Sequence, residues 1–288
     1  MKEFVVIEER SPISCDARSE GGSRTKGSKK YSTQISPLIT LVTVVFNGAA
    51  TLEHTIRSVI EQTYDNVEHI IIDGGSIDAT LDILRKYEGS IDYWVSENDS
   101  GIYDAMNKGI TLARGEIVAF INADDFYASP GVLTTVAAAF KSSGADCCYG
   151  DLCYVSQVDP TRTVRYWRSA DFVPGSFEKS WFPPHPTFFV RRSVYQRLGG
   201  FDLSFKIAAD FELMLRYLEV ARISSDYIPE VLVKMRLGGT SNRSLSIIFK
   251  QNVAIRRALS KHGLRSSLVS FVLNKLVTRA IQFVRRPT

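Results

Sequence analysis

The chain has 288 residues, enough for one large α/β domain with appendages or for two small domains; one domain is the simpler expectation. Its composition, 44% hydrophobic, 11% aromatic and 23% charged, matches ordinary globular proteins and excludes a wholly disordered or membrane-spanning chain. The net charge of +4 comes from 35 basic against 31 acidic residues, with the excess near the two ends, and this near balance leaves no nucleic-acid footprint.

The first residues, MKEFVVIEERSP, are too charged and their apolar stretch too short for a secretory signal. No later run is long enough to span a bilayer, so any membrane contact is expected to be peripheral. Cys15, Cys147, Cys148 and Cys153 form no C-x-x-C pair and have no His cluster beside them, which suggests neither zinc nor a disulfide framework; a reducing cytoplasm is the simplest home. Residues 11–36 are rich in Ser, Gly, Lys and Arg without apolar periodicity, and residues 1–35 are expected to form a flexible tail.

From Ile39 onward, β-rich runs alternate with amphipathic helical runs, the pattern of a mainly parallel sheet covered by helices on both faces. A strand is expected over residues 39–46, then a helix over 51–62 with Leu52, Ile56, Val59 and Ile60 on one face and Thr51 as N-cap. Residues 67–72 read as a strand, 79–87 as a helix and 91–95 as a third strand. A helix over 101–113 closed by Gly115 precedes a fourth strand over 116–121. A helix near 131–141 and a short strand at 147–149 follow. Signals then weaken, apart from a candidate strand at 163–168 and the rigid Pro183, Pro184 loop. Residues 192–198 and 211–220 read as helices, with a loop over 199–209 between them.

The segment from 240 to 288 is expected to be a basic, amphipathic helical tail. Val269, Val272, Leu273, Leu276, Ala280 and Phe283 form one stripe, flanked by Lys275, Arg279 and Arg286. Such a helix could lie on an anionic membrane surface or pack on the domain or a partner subunit.

The four strands end at Asn47, Asp73, Glu97 and residues 122–125, so polar groups gather at the carboxyl edge of the sheet, where open α/β sheets bind ligands. Turn preference alone explains one such ending better than four. Asn122, Ala123, Asp124 and Asp125 follow an apolar strand directly, which would hold the carboxylates on a short turn. Hard divalent cations such as Mg2+ or Mn2+ take such oxygens and complete their shell with substrate phosphates. Helix capping before Pro130 accounts for Asp125 but not for Asp124. No G-x-G-x-x-G or G-x-x-x-x-G-K-[ST] cradle occurs, so phosphate charge would have to be met by a metal on Asp124, a helix N-terminus near Gly101 and Lys108.

The stretches TLVTVVFNGAATLEHTIRSVIEQTY, IIIDGGSIDAT, SENDSGIYDAMNKGI and ARGEIVAFINADD resemble the family 2 glycosyltransferases, over residues 36–239. The resemblance implies a GT-A fold and inverting, metal-dependent transfer of a sugar, of hexosyltransferase type. The donor would be a nucleotide-diphospho-sugar, with uracil ahead of guanine or thymine. A glycan or lipid-linked acceptor in cell-surface polysaccharide or glycolipid synthesis follows, with work at the inner face of the membrane. By the same resemblance Thr43, Val45 and Asn47 line the nucleobase and ribose pocket, and Asp73 accepts a hydrogen bond from the base. Glu97, Asp104 and Lys108 belong to the donor-side loop and helix. Asn122, Ala123 and Asp124 stand at the D-x-D metal motif, where the first Asp is Asn here, leaving Asp124 as the ligand.

Asp210 matches the catalytic base, although a preceding acidic residue found in many relatives is Ala here; helix capping is the other reading of Asp210. His185, in a stretch from Trp181 to Pro186 that resembles the acceptor-side loop, would orient the acceptor, approach the metal-bound diphosphate or be structural. Arg236, Gly238, Gly239 and Ser241 resemble a flexible stretch that folds over the donor. Two rivals stand beside this reading. A sugar nucleotidyltransferase would need a Gly-rich basic loop after the first strand, which NGAATLEH does not provide; a non-catalytic nucleotide-sugar or glycan-binding module could dispense with Asp210.

Overall fold

A computed structural model describes residues 18–33, 35–238, 245–264, 271, 274, 277 and 279–283, with the side chains of 245–248 outside that description. One mixed sheet runs through it. In chain order its strands are β1 (Ser19–Gly21), β2 (Ile39–Val45), β3 (Val67–Asp73), β4 (Tyr93–Ser96), β5 (Ile117–Phe120), β6 (Asp125–Tyr127), β7 (Cys147–Val155), β8 (Thr163–Trp167), β9 (Phe189–Arg191) and β10 (Ser225–Arg236). The spatial order is β1-β4-β3-β2-β5-β9-β7-β10-β6, with β8 paired to β7 off this path. β4, β3, β2 and β5 are mutually parallel, whereas β9 runs antiparallel to both β5 and β7.

Residues of alternate parity on β2 face opposite layers, as a strand's period of two requires. Ile39 and Leu41 join an apolar cluster with Leu133 and Phe140, whereas Val42 and Val44 join the cluster of Met106, Phe211 and Leu213. The helices supplying these layers are α1 (Leu52–Ile60), α2 (Thr80–Lys86), α3 (Ile102–Leu112), α4 (Val132–Ser143), α5 (Arg192–Leu198), α6 (Ala209–Met214) and α7 (Leu245–Lys261). α6 continues as a π-helix over Leu215–Val220. Gly109 lets α3 lie directly on β2, since a Cβ there would collide with Val42.

Several boundaries differ from expectation for local reasons. Thr51 occupies the N-cap of α1 but makes no side-chain capping bond. Gly115 does not close α3, which ends at Leu112 with Ala113 extended; a Cβ on Gly115 would stand 2.6 Å from the Thr40 amide, so close chain approach selects glycine there. β6 and β9 are three residues each, too short to show a period. β10 carries Pro229 within the first of two register shifts in its pairing with β7, and this irregularity hides a 12-residue strand.

Residues 18–33, inside the stretch read as a flexible tail, are docked. β1 pairs with the edge of β4, Arg24 lies 3.2 Å from the buried Glu68 carboxylate, and Lys30 lies 2.8 Å from Asp92. Backbone pairing and ion pairs fix the segment, so no apolar period announces it.

At the other end, α7 packs on α6 through Ile255, Ala258 and Leu259. The buried Glu212 accepts a 2.8 Å bond from His262 and also pairs with Arg216. Of the expected tail stripe, Ala280 and Phe283 are exposed, while Val269, Val272, Leu273 and Leu276 lie outside the described residues. Phe271 and Gln282 face inward. Among the described residues no helix is long and apolar enough to cross a membrane.

Candidate active site

β2 leads outward to β3 and β4, and the chain then returns along α3 to place β5 on the other flank of β2. The carboxyl ends of β2 and β5 therefore flank a topological switch point, where an α/β sheet opens a crevice. The turn after β5 enters that crevice. It is held by the Asp125 amide donating to the Asn122 carbonyl at 3.0 Å and by Thr55 Oγ1 donating to the Asp125 carbonyl at 2.7 Å. Asn122 Nδ2 donates to Asp125 Oδ2 at 3.2 Å.

Two oxygens of this turn, Asn122 Oδ1 and Asp125 Oδ1, are buried without a hydrogen-bond partner. Burial pushes the half-buried Asp124 carboxyl above its usual range; the fully buried Asp125 is raised further by burial and then by the Asp124 charge. Arg236 opposes both shifts. It is the last residue of β10, paired beside β6, so it belongs to a strand rather than to the flexible stretch expected there. Its Nη2 donates to His54 Nδ1 at 2.6 Å, and its guanidinium stands 5.2 Å from the Phe126 ring centre. Gly238 follows with φ 103°, while Gly239 and Ser241 lie outside the described residues.

These groups fit a hard divalent cation in donor type: carboxylate and amide oxygens, two of them unpartnered. The described residues contain no group of three His, Cys, Asp or Glu able to enclose a metal, so the protein would supply part of a shell.

The ends of β3 and β4 look different. Asp73 is fully buried, accepting from Ser96 Oγ at 2.6 Å, from the Ser76 amide at 3.0 Å, and from Ser76 Oγ. Asn47, in the left-handed region at φ 51°, donates its amide to Ser76 Oγ and accepts from the Ile77 amide through Oδ1. Val45 and Ala123 pack together in the apolar cluster around Leu52 and Ile56. Thr43 is buried within the sheet, 3.0 Å from His69 Nε2, and is not brought to the crevice. Lys108 lies 2.9 Å from Glu97 and 4.0 Å from Asp104, so carboxylates already meet much of the charge expected for phosphate.

A cavity of about 240 Å³ brings Asn122, Tyr103, His185 and Asp210 together. Asp210 is the second residue of α6, after Ala208 with φ 62°, a left-handed conformation costly for alanine. Tyr103 Oη donates to Asp210 Oδ1 at 3.0 Å, and burial together with the Asp210 charge holds the phenol protonated. Oδ2 receives no hydrogen bond from the described residues. His185 is buried in a 3-10 turn, its ring 5.7 Å from Phe120 and 5.5 Å from Phe201; burial lowers its pKa, so it is neutral.

Tyr103 and His54 were not singled out from the sequence. Tyr103 sits inside the DSGIYDAMNKG stretch one helical turn before Met106, where a core assignment is equally good; His54 has no local signal at all.

Residues 40–206 match the family described as Glycosyl transferase family 2. An uncharacterized glycosyltransferase of Mycobacterium tuberculosis (strain CDC 1551 / Oshkosh) is 35% identical over 189 residues, covering 63% of this chain and 69% of that protein. A PGL/p-HBAD biosynthesis glycosyltransferase of Mycobacterium bovis (strain BCG / Pasteur 1173P2) is 28% identical over 212 residues, covering 72% and 80%. Among solved structures, S. aureus TarS 1-349 superposes with a TM-score of 0.61 at 17% identity, over 83% of this chain and 72% of that one. The mannosyltransferase PcManGT from Pyrobaculum calidifontis gives 0.56 at 17% identity, over 92% and 86%. These superpositions show the GT-A fold. With more than half of its length matched to the family and the parallel β4-β3-β2-β5 core in place, the chain belongs to glycosyltransferase family 2.

Proposed function

We propose that this glycosyltransferase moves a hexose from a nucleotide-diphospho-sugar to an acceptor hydroxyl by single displacement with inversion, with Asp210 as the base. The observation that carries this reading is the cavity in which Asp210, oriented through Oδ1 by Tyr103, has Oδ2 without a hydrogen bond from the described residues, with Asn122 of the β5 turn in the same lining. The acceptor proton passes to that oxygen while the acceptor oxygen bonds to the sugar's anomeric carbon. The bond to the diphosphate breaks, and the diphosphate leaves with the electron pair. Tyr103 fixes the direction of the carboxylate, and the neutral His185 walls the cavity against water. Mn2+ or Mg2+ would be held by Asp124 with Asn122 Oδ1 and Asp125 Oδ1, and when bound it stabilises negative charge on the diphosphate.

A uridine donor is favoured by the place of Asp73 in the family pattern. TarS 1-349 has been solved with UDP and with UDP-GlcNAc, and PcManGT with GDP-Man and Mn2+. The M. bovis relative, named for PGL/p-HBAD biosynthesis, supports a glycolipid or surface-glycan acceptor. No Asp or Glu occurs after Glu230, and Val277, Ile281 and Phe283 are exposed, a combination suited to an anionic membrane surface. Changing Val277 and Phe283 together to Glu should abolish flotation with anionic vesicles; flotation equal to wild type removes the membrane from this reading.

The direct test is Asp210→Asn. Transfer or donor hydrolysis should fall by about 10² to 10⁴-fold while donor binding persists. Equal turnover would remove Asp210 from the mechanism, and binding without turnover in the wild type would favour a binding module.

A further inference from the structure

The cavity that holds Asp210 has a second face that the transfer step does not use. Its charged lining consists of Arg165, Arg168 and Arg279 against the single carboxylate of Asp210, which Tyr103 already engages. Arg165 comes from β8, opposite Tyr154 of β7, with its guanidinium 3.7 Å from the Tyr154 ring centre. It is only 8% exposed, and its Nε has no partner. The groups that act on it are the Tyr154 hydroxyl, which also hydrogen-bonds it, and a second cation, Arg279. Ser180, 9% exposed and left-handed at φ 66°, also leaves its hydroxyl unpartnered at this cavity. A buried cation beside another cation, with its Nε left without a partner, is costly unless an anion joins it.

We infer that this face seats a phosphate or diphosphate group carried by the acceptor, gripped by Arg165 and Arg279 with Ser180 as a further donor and with Trp167 and Trp181 as apolar walls. The inference rests on the reading of the cavity as a site of sugar transfer. Two guanidiniums match a phosphate's charge of about −2 better than a carboxylate's single charge. The donor's own diphosphate is the competing occupant. Against it, Asn47, Asp73, Asp124 and Arg236 are absent from this cavity's lining, where Asn122 alone represents the donor-side turn and the rest is shared with Asp210 and the Trp181 to Pro186 loop.

The test is calorimetric titration of the full chain with inorganic pyrophosphate, in EDTA and at saturating UDP. Binding should persist beside UDP, and Arg165→Gln and Arg279→Gln should each weaken it tenfold or more. Arg165→Lys should recover part of the loss, and Arg85→Gln, on the exposed face of α2, should leave it at wild-type strength. Arg279 is half-buried, so its variant keeps the test open should Arg165→Gln fail to fold. Displacement of pyrophosphate by UDP, or wild-type affinity in Arg279→Gln, would overturn the inference. Repeating the titration with farnesyl diphosphate and with glucose 1-phosphate separates a lipid-linked source from a phosphorylated glycan, whichever binds more tightly. Donor hydrolysis measured alongside keeps the two readings apart: its absence in the wild type sinks the proposed function, whereas hydrolysis without pyrophosphate binding sinks only this inference.

Discussion

Two carboxylates at strand ends, both with no solvent exposure, are finished to different degrees. Asp73, at the end of β3, accepts three hydrogen bonds, one from Ser96 of β4 and two from Ser76, whose hydroxyl also ties down Asn47. Asp125, at the start of β6, has one weak partner in Asn122 and an oxygen with none, beside a second carboxylate. A completed site of the first kind stabilises the fold. An incomplete one of the second kind destabilises it until something external arrives, and strain of this sort collects at functional sites. Asp73 is thus an internal brace of the donor side as well as its expected base contact, whereas the 122–125 turn keeps two buried oxygens without a hydrogen-bond partner.

Substitutions should separate the two by sign. The largest effect is expected at Asp73→Ala, which strands the Ser76 amide and Ser96 hydroxyl and should lower unfolding free energy by about 3 kcal/mol, read from urea denaturation. A smaller loss within the same braced region should follow acidification. His69, under Thr43 on β3, is held neutral by burial with its pKa lowered to about 3, below the 6.5 of an exposed imidazole. As pH falls through 6.5 the unfolded chain takes up this proton first, so stability is full above 6.5 and declines below it. Between pH 7 and 5 the wild type should lose about 2 kcal/mol more than His69→Gln does; parallel losses would contradict the assignment. On the unfinished side, Asp125→Asn should move the other way. At pH 7 the folded chain must bury either a charge beside Asp124 or a proton the unfolded chain lacks. An amide removes that cost, raising stability by about 1 to 2 kcal/mol in metal-free buffer. Destabilisation there would end the contrast.

The sequence made some parts of this architecture plain and concealed others for physical reasons. β2, β3 and β5 are long or strongly apolar runs with helices of clear 3.6-residue period between them, so the parallel core and its polar edge were legible. β1, β6 and β9 are three residues each, and β10 is broken by Pro229; their pairing is decided by tertiary contacts. Asp124, Asp210 and His185 were readable as candidates because they lie in motif-bearing stretches. Arg165 and Arg279 were not: one sits on a short strand in a stretch of weak signal, the other three residues before the buried Gln282, where a polar side chain faces inward against its apolar pattern. A buried arginine reads in sequence like any surface arginine, and only the absence of a facing carboxylate in three dimensions sets it apart.

The measurement that bears most directly on the unfinished turn is UDP binding by calorimetry, in Mn2+ and in EDTA, for the wild type and Asp124→Ala. If the turn's oxygens hold a cation that draws the diphosphate in, Mn2+ should tighten binding by tenfold or more in the wild type, and the variant should lose that gain while binding as the wild type does in EDTA. Equal affinity with and without Mn2+, or an undiminished Mn2+ effect in Asp124→Ala, would contradict the account.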